Sequence, residues 1–263
     1  MRLLFIDDFK LGVLKGDTVV DVSDVVRDIP HTGPGDLMSG LIGRFADYKG
    51  RLEAAANQGR GVPVSQVRIR PPLPKPTNIE CMAVNYMEDG TRSEPAPINA
   101  FHKSPSSIIG DGDTMVLPDV PATIFEGEAE MALVIGKRAS NVSPAEAMSY
   151  VFGYLNFIDG SARGLPPAGN TFYQMKSRDS FAPMGPYLVT ADEVRDRCDI
   201  RCGHAERTET AEHSRLLAGV QSACFSSLGA ARLDDELNSC AIGGDARFAT
   251  SPPLARKLFI STR

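Results

Sequence analysis

Apolar positions in the first 21 residues come in short runs cut by polar turns. Residues 2–6 and 11–21 therefore predict short strands, broken at Asp7-Asp8 and at Lys15-Gly16-Asp17. The period then changes. Leu37, Leu41, Ile42, Phe45, Tyr48 and Leu52 recur at three and four, which predicts a helix over 35–57 that Gly59 and Gly61 end. Residues 67–77 are proline-rich and extended, so a linker is expected there, with a boundary near residue 72. Ile79 to Asn85 predicts a buried strand. Tyr86 to Asn99 is polar and aperiodic and reads as a loop, either an active-site lid or a plain surface connection.

Two further apolar runs follow, Phe125–Gly136 and Val151–Asp159. Met131 to Ile135 are all apolar, the mark of a strand covered on both faces. Between the runs, Ser143-Pro144-Ala145-Glu146 carries helix-start chemistry: a hydroxyl to accept first-turn amides, a proline at the first position, and a glutamate to reach back. Gly153 is expected to end that helix, so 126–160 reads strand, helix, strand. Another strand is expected at Tyr187–Thr190. Beyond Cys198 strand periodicity is weak.

Composition bounds the class without naming it. The 263 residues are 42% hydrophobic and 23% charged, ordinary for a globular protein. A net charge of −5 gives no footprint for nucleic acid. The apolar runs are too short to span a membrane, and the start has no long apolar core, so a cytoplasmic location is expected. Cys81 stands apart from Cys198, Cys202, Cys224 and Cys240, and an odd total without a secretion signal argues against a disulfide framework.

The chemistry concentrates in three carboxylates. On a strand, Glu128 and Glu130 share a face, with backbone positions about 7 Å apart. Asp159 closes the second apolar run. Acidic residues on a strand are commonly its solvent face. Here they lead into a buried strand, where a carboxylate needs a partner, and oxygen-only ligands suit Mg2+ or Mn2+. Lys176 lies in a polar segment and reads as a solvated charge or as a functional cation.

Six blocks between residues 74 and 194 resemble the fumarylacetoacetate hydrolase family. They are Lys75-Pro-Thr-Asn-Ile, Cys81-Met-Ala-Val-Asn-Tyr86, Lys103-Ser-Pro-Ser-Ser-Ile-Ile-Gly-Asp-Gly-Asp113, Glu128-Ala-Glu-Met-Ala-Leu-Val-Ile-Gly-Lys137, Val151-Phe-Gly-Tyr with Asp159-Gly-Ser-Ala-Arg163, and Lys176-Ser-Arg-Asp-Ser-Phe-Ala-Pro-Met-Gly-Pro186. The resemblance implies an α+β fold: a mixed β-roll with a small N-terminal α/β domain over 1–72 and a metal-binding core over 73–197, while the tail over 198–263 does not match the family and is expected to be irregular. It implies Mg2+ or Mn2+ held by Glu128, Glu130 and Asp159. Lys176 then binds and polarises substrate oxygens, Gln174 and Tyr86 contact substrate, and Arg163 anchors the loop after Asp159. The implied reaction is hydrolytic or lyase cleavage of a C–C bond in a small β-diketo or 2-keto acid. Decarboxylation, isomerisation and hydratase chemistry are other outcomes of such a site. A homodimer is implied as well.

Two departures stand out. Asp89 occupies the slot where hydrolytic members place a histidine, so Glu88 or Asp89 would have to serve as base. His102, the nearest histidine downstream, is either structural or a substitute. The tail lacks the family's closing segments. Its Cys198, Cys202, His204 and His213 fit no standard zinc spacing. A reading-frame shift near residue 200 accounts for it, since codons for 204–217 read one base later can restore a family-like pattern. On that account the chain would be an inactive relative that keeps only its metal ligands.

Overall fold

A computed structural model describes residues 1–83, 99–143, 145–167 and 172–194, together with the backbone of 238–242, 247–248 and 257–259. The chain opens with a meander, β1 (Arg2–Ile6), β2 (Lys10–Lys15) and β3 (Thr18–Asp21), as the turn signals predict. The single helix expected over 35–57 is two. α1 (Pro34–Gly43) and α2 (Phe45–Gln58) meet at Arg44, whose φ of −123° is not helical and whose N–H returns to the Leu41 and Ile42 carbonyls. Both helices bury residues of one continuous stripe: Leu37, Leu41 and Ile42, then Tyr48 and Leu52. The apolar spacing runs through the break, so it could not reveal it. Gly59 closes α2 with its N–H on the Ala55 carbonyl.

Short β4 (Val62–Pro63) pairs with β3, and β5 (Ile69–Arg70) with β1. Then come β6 (Asn78–Met82), β7 (Ala100–Lys103), β8 (Ile108–Ile109) and β9 (Thr114–Val116). The two longest strands are next, β10 (Ile124–Ile135) and β11 (Val151–Arg163), and after them α3 (Phe172–Lys176) and β12 (Ala182–Thr190). The expected helix from Ser143 to Gly153 is reduced to one 3-10 turn, Ala147–Tyr150. Ser143 does donate to the Glu146 carboxylate at 2.6 Å, and the Glu146 and Ala147 amides return to its carbonyl. Those contacts settle a single turn, after which pairing with β10 and β12 takes the chain. Gly153 is not a helix stop. It lies inside β11, where a Cβ would run into the Val189 carbonyl of β12.

The main sheet runs β4-β3-β2-β1-β12-β11-β10, and its far side carries strands from the tail. β13 (Asn238–Ile242) lies between β10 and β6, antiparallel to the first and parallel to the second. β14 (Arg247–Phe248) pairs with the start of β10, and β15 (Lys257–Phe259) with β9. At these positions the tail departs from the irregular course expected of it. The bare edge of β10 offers unpaired N–H and C=O groups that a strand satisfies. Cys198, Cys202, His204 and His213, and the segment on which the frame-shift account turns, lie outside the described residues.

β1 hydrogen-bonds directly to β12, with Leu3 opposite Leu188, so residues 1–72 continue the sheet of the core. The largest apolar cluster crosses that join. It takes Leu3, Phe5 and Leu11 from the meander, Leu41 and Leu52 from the helices, and Ala132, Val134, Leu155 and Leu188 from the central strands. No helix among the described residues is long and apolar enough to cross a membrane.

Candidate metal centre

The β10–β11 ladder positions the carboxylates. It is antiparallel and continuous from Ile124 opposite Arg163 to Val134 opposite Gly153. Residues directly opposite point to the same face, and alternate residues along a strand share it. Glu128 faces Asp159, with Glu130 two residues further along β10 and opposite Phe157. Ala132 and Val134 continue that face into the apolar core. The site is the acidic end of the same stripe that builds the core. One carboxylate oxygen from each of Glu128, Glu130 and Asp159 lies within 4.8 Å of the others.

The three carboxylates differ in their surroundings. Glu128 Oε1 accepts from Ser161 Oγ at 2.8 Å, Arg163 at 2.8 Å and Lys176 Nζ at 2.7 Å. Burial pushes the Glu128 carboxyl up, but Lys176 first, then Ser161 and Arg163, outweigh it and hold the group below its ordinary value. Asp159 accepts from Lys103 on Oδ1 at 2.5 Å and from Lys176 on Oδ2. Glu130 Oε2 is buried without a hydrogen-bond partner. Burial, then the charges of Asp159 and Glu128, push the Glu130 carboxyl well up.

That orphaned oxygen tests whether a metal fits. A buried carboxylate with no donor is costly unless something cationic meets it. The donor set is all oxygen and carboxylate-rich, the preference of a hard divalent cation. Four carboxylates, Glu126 included, gather with three cationic side chains, Lys103, Lys176 and Arg163, and the site can hold Glu130 ionised only if a further cation joins it. The residues present fit Mg2+ or Mn2+.

Lys176 is neither solvated nor in a loop. It ends α3, with its side chain 3% exposed. Burial lowers its pKa, but Asp159 and Glu128 outweigh that and the net shift is upward, so it stays an ammonium. Arg163 does more than anchor a loop. It lies on β11 on the face of Asp159, bonded to Glu126 at 2.6 Å and to Glu128. Gln174 is exposed on α3, two residues before the inward-facing Lys176. His102 does not join the cluster. It is exposed and pairs with Glu80 at 3.2 Å across β6 and β7, because Phe101 and Lys103, one residue either side, take the buried face. Tyr86, Glu88 and Asp89 lie outside the described residues. Sequence reasoning passed over Lys103, which is completely enclosed against Asp159. The available signal was alternation, since Phe101 and Lys103 flank a polar His102 on a short strand.

The family profile described as Fumarylacetoacetate (FAA) hydrolase C-terminal matches residues 78–221. A fumarylacetoacetate hydrolase domain-containing protein 2 homolog from Dictyostelium discoideum is 32% identical over 193 residues, 70% of this chain and 61% of that protein. The mitochondrial oxaloacetate tautomerase Fahd2a of Rattus norvegicus is 36% identical over 140 residues, 51% of this chain and 44% of its own length. The chain thus spans only part of these relatives. A crystal structure of maleylpyruvate hydrolase from Sphingobium sp. SYK-6, in complex with manganese(II) ion and pyruvate, superimposes with a TM-score of 0.77 at 28% identity. That match covers 95% of this chain and 91% of the other.

Proposed function

The chain belongs to the fumarylacetoacetate (FAA) hydrolase family, and from that premise we propose that it is a divalent-metal-dependent enzyme cleaving a C–C bond in a small acylpyruvate-like 2-keto acid by hydrolysis. One observation carries the reading: Glu128, Glu130 and Asp159 converge within 4.8 Å on one face, and the Glu130 oxygen lacks a donor. These three residues would hold Mg2+ or Mn2+. The metal, when bound, supplies Lewis acidity toward the adjacent oxygens of a keto acid. The likeness to a maleylpyruvate hydrolase that binds manganese(II) and pyruvate supports both the ion and the substrate class.

The chain's own groups do the rest. Lys176 holds a permanent ammonium at the edge of the cluster, where it offsets negative charge developing on a substrate oxygen. Ser161 and Arg163 donate to the same Glu128 oxygen as Lys176, which keeps that carboxylate ionised and oriented. Burial of Asp159 and Lys176 keeps bulk water from competing for the same charges. Proton removal from water falls to Glu88 or Asp89 on the segment between β6 and β7.

A second reading has its own observation. Among the described residues no histidine reaches the carboxylates, and His102 faces the other side of the sheet. Keto–enol tautomerisation of a 2-keto acid needs no activated water, and a tautomerase is among the relatives. One experiment separates the two. The purified chain is incubated with acetylpyruvate or enol-oxaloacetate and Mn2+, following enol absorbance and released pyruvate together. Hydrolysis of acetylpyruvate yields acetate and pyruvate in step with enol loss, whereas tautomerisation of enol-oxaloacetate loses enol without pyruvate beyond that released by Mn2+ alone. Chelation should abolish either, and added Mn2+ should restore it. A folded chain inert in both assays with Mn2+ and with Mg2+ refutes the proposal.

A further inference from the structure

Among the described residues Lys103 is the largest fully enclosed polar side chain, and the residues that surround it are those of the site. Its ammonium carries three protons, and each has an acceptor: Asp159 Oδ1 at 2.5 Å, the Gly160 carbonyl at 3.0 Å and the Lys176 carbonyl at 2.6 Å. A simple ion pair would need only the first. The other two are backbone oxygens on separate elements, β11 and α3, each next to or part of a residue of the cluster. Lys176 is the last residue of α3, so its carbonyl has no intrahelical donor and an ammonium suits it. β7 grips α3 a second time, because Phe101 stacks on Phe172 with ring centroids 4.8 Å apart. The Lys176 ammonium lies 5.2 Å from the Phe101 ring centre.

We infer that Lys103 is a positioning residue for the carboxylate cluster, setting the plane of the Asp159 carboxylate and seating Lys176 beside it. The inference rests on the reading of Glu128, Glu130 and Asp159 as cation ligands. The physical ground is the softness of the last torsion of an aspartate, where a tetrahedral carbon meets a planar one. No deep rotamer well fixes that plane. Hydrogen bonds must do so, and Lys103 holds one oxygen of the pair. With Oδ1 tied to β7, Oδ2 meets the Lys176 ammonium that also bonds Glu128 Oε1.

The test compares the parent chain with Lys103→Met, which keeps the stem and removes the ammonium, and Lys103→Arg, which keeps the charge and changes the donor geometry. Near-UV circular dichroism reports folding. Titration with Mn2+, read by electron paramagnetic resonance, gives the affinity from free ion and the ligand geometry from the zero-field splitting of bound ion. The expected result is a folded Lys103→Met that binds Mn2+ about 10–100-fold more weakly, with an altered bound-ion spectrum. Lys103→Arg should restore part of the affinity but not the parent spectrum. The inference is overturned if folded Lys103→Met binds within about twofold of the parent with the same spectrum, or if Lys103→Arg restores both affinity and spectrum, since charge alone would then suffice. Failure of both variants to fold also overturns it, because the residue would then serve the fold. A folded parent chain that binds no Mn2+ instead refutes the metal reading itself, and that outcome is visible before any variant is made.

Discussion

Glu130 and Lys176 respond differently to substitution because one lacks donors and the other supplies them. Glu130→Gln removes a carboxylate whose Oε2 has no partner. The metal-free protein should keep its near-UV spectrum while Mn2+ affinity falls at least about tenfold, measured by titration. Lys176→Met removes the cation that bridges Glu128 and Asp159. Turnover should fall about 100–1000-fold, the cost of one charge-stabilising donor. Mn2+ binding should not weaken, because the ammonium sharing those oxygens is gone. A parallel loss of Mn2+ affinity would place Lys176 among the groups that build the ion site. The glutamates were readable from sequence because strand period two is strict and they lead into an unbroken apolar run. Lys103 was not. Its partners come from β11 and α3, far along the chain, and a neighbouring histidine drew the chemical interest that alternation assigns to the lysine.

At the scale of elements, long-range pairing overrode local signals. Ser143 and Glu146 do interact, yet capping chemistry decides only a first turn. Beyond that turn, the strands on either side decide the course of the chain. Gly153 shows the constraint. A Cβ there meets a backbone carbonyl, which cannot rotate aside as a side chain can. Gly153→Ala should therefore destabilise the chain by about 1–3 kcal/mol, read from urea denaturation. A change within error would mean that β12 can retreat from β11 at no cost. The break between α1 and α2 was hidden for the converse reason. One apolar stripe serves both helices, and periodicity reports which face is buried, not whether the backbone is continuous.

The whole molecule is joined through contacts that link distant segments. Asp192 lies just beyond β12, where it accepts from Lys49 of α2 at 2.7 Å and from Thr190 at 2.5 Å. Lys49 chiefly, then Thr190, lowers its pKa from the ordinary 3.8 to about 2. The folded state thus binds that proton less readily than the unfolded chain. The stabilisation is present above about pH 4 and is lost as pH falls through about 2. Asp192→Asn should lower the urea midpoint at pH 7, and the gap to the parent should close between about pH 4 and about pH 2. Both partners are half-exposed, so salt should shrink the gap. A gap that persists unchanged at pH 2 would assign the effect to packing. Hydrogen bonding between β1 and β12 leaves no local mark in either segment, so the pairing of the first strand with the twelfth was not legible in the sequence. The shared register of β10 and β11 carries a last consequence. Sliding one strand by a single residue would turn its acids outward and its core side chains into water together. On the proposed reading of the three carboxylates as cation ligands, a molecule that misfolds there would lose its ion site in the same event, and Mn2+ bound per mole of chain would track the correctly assembled fraction of a preparation.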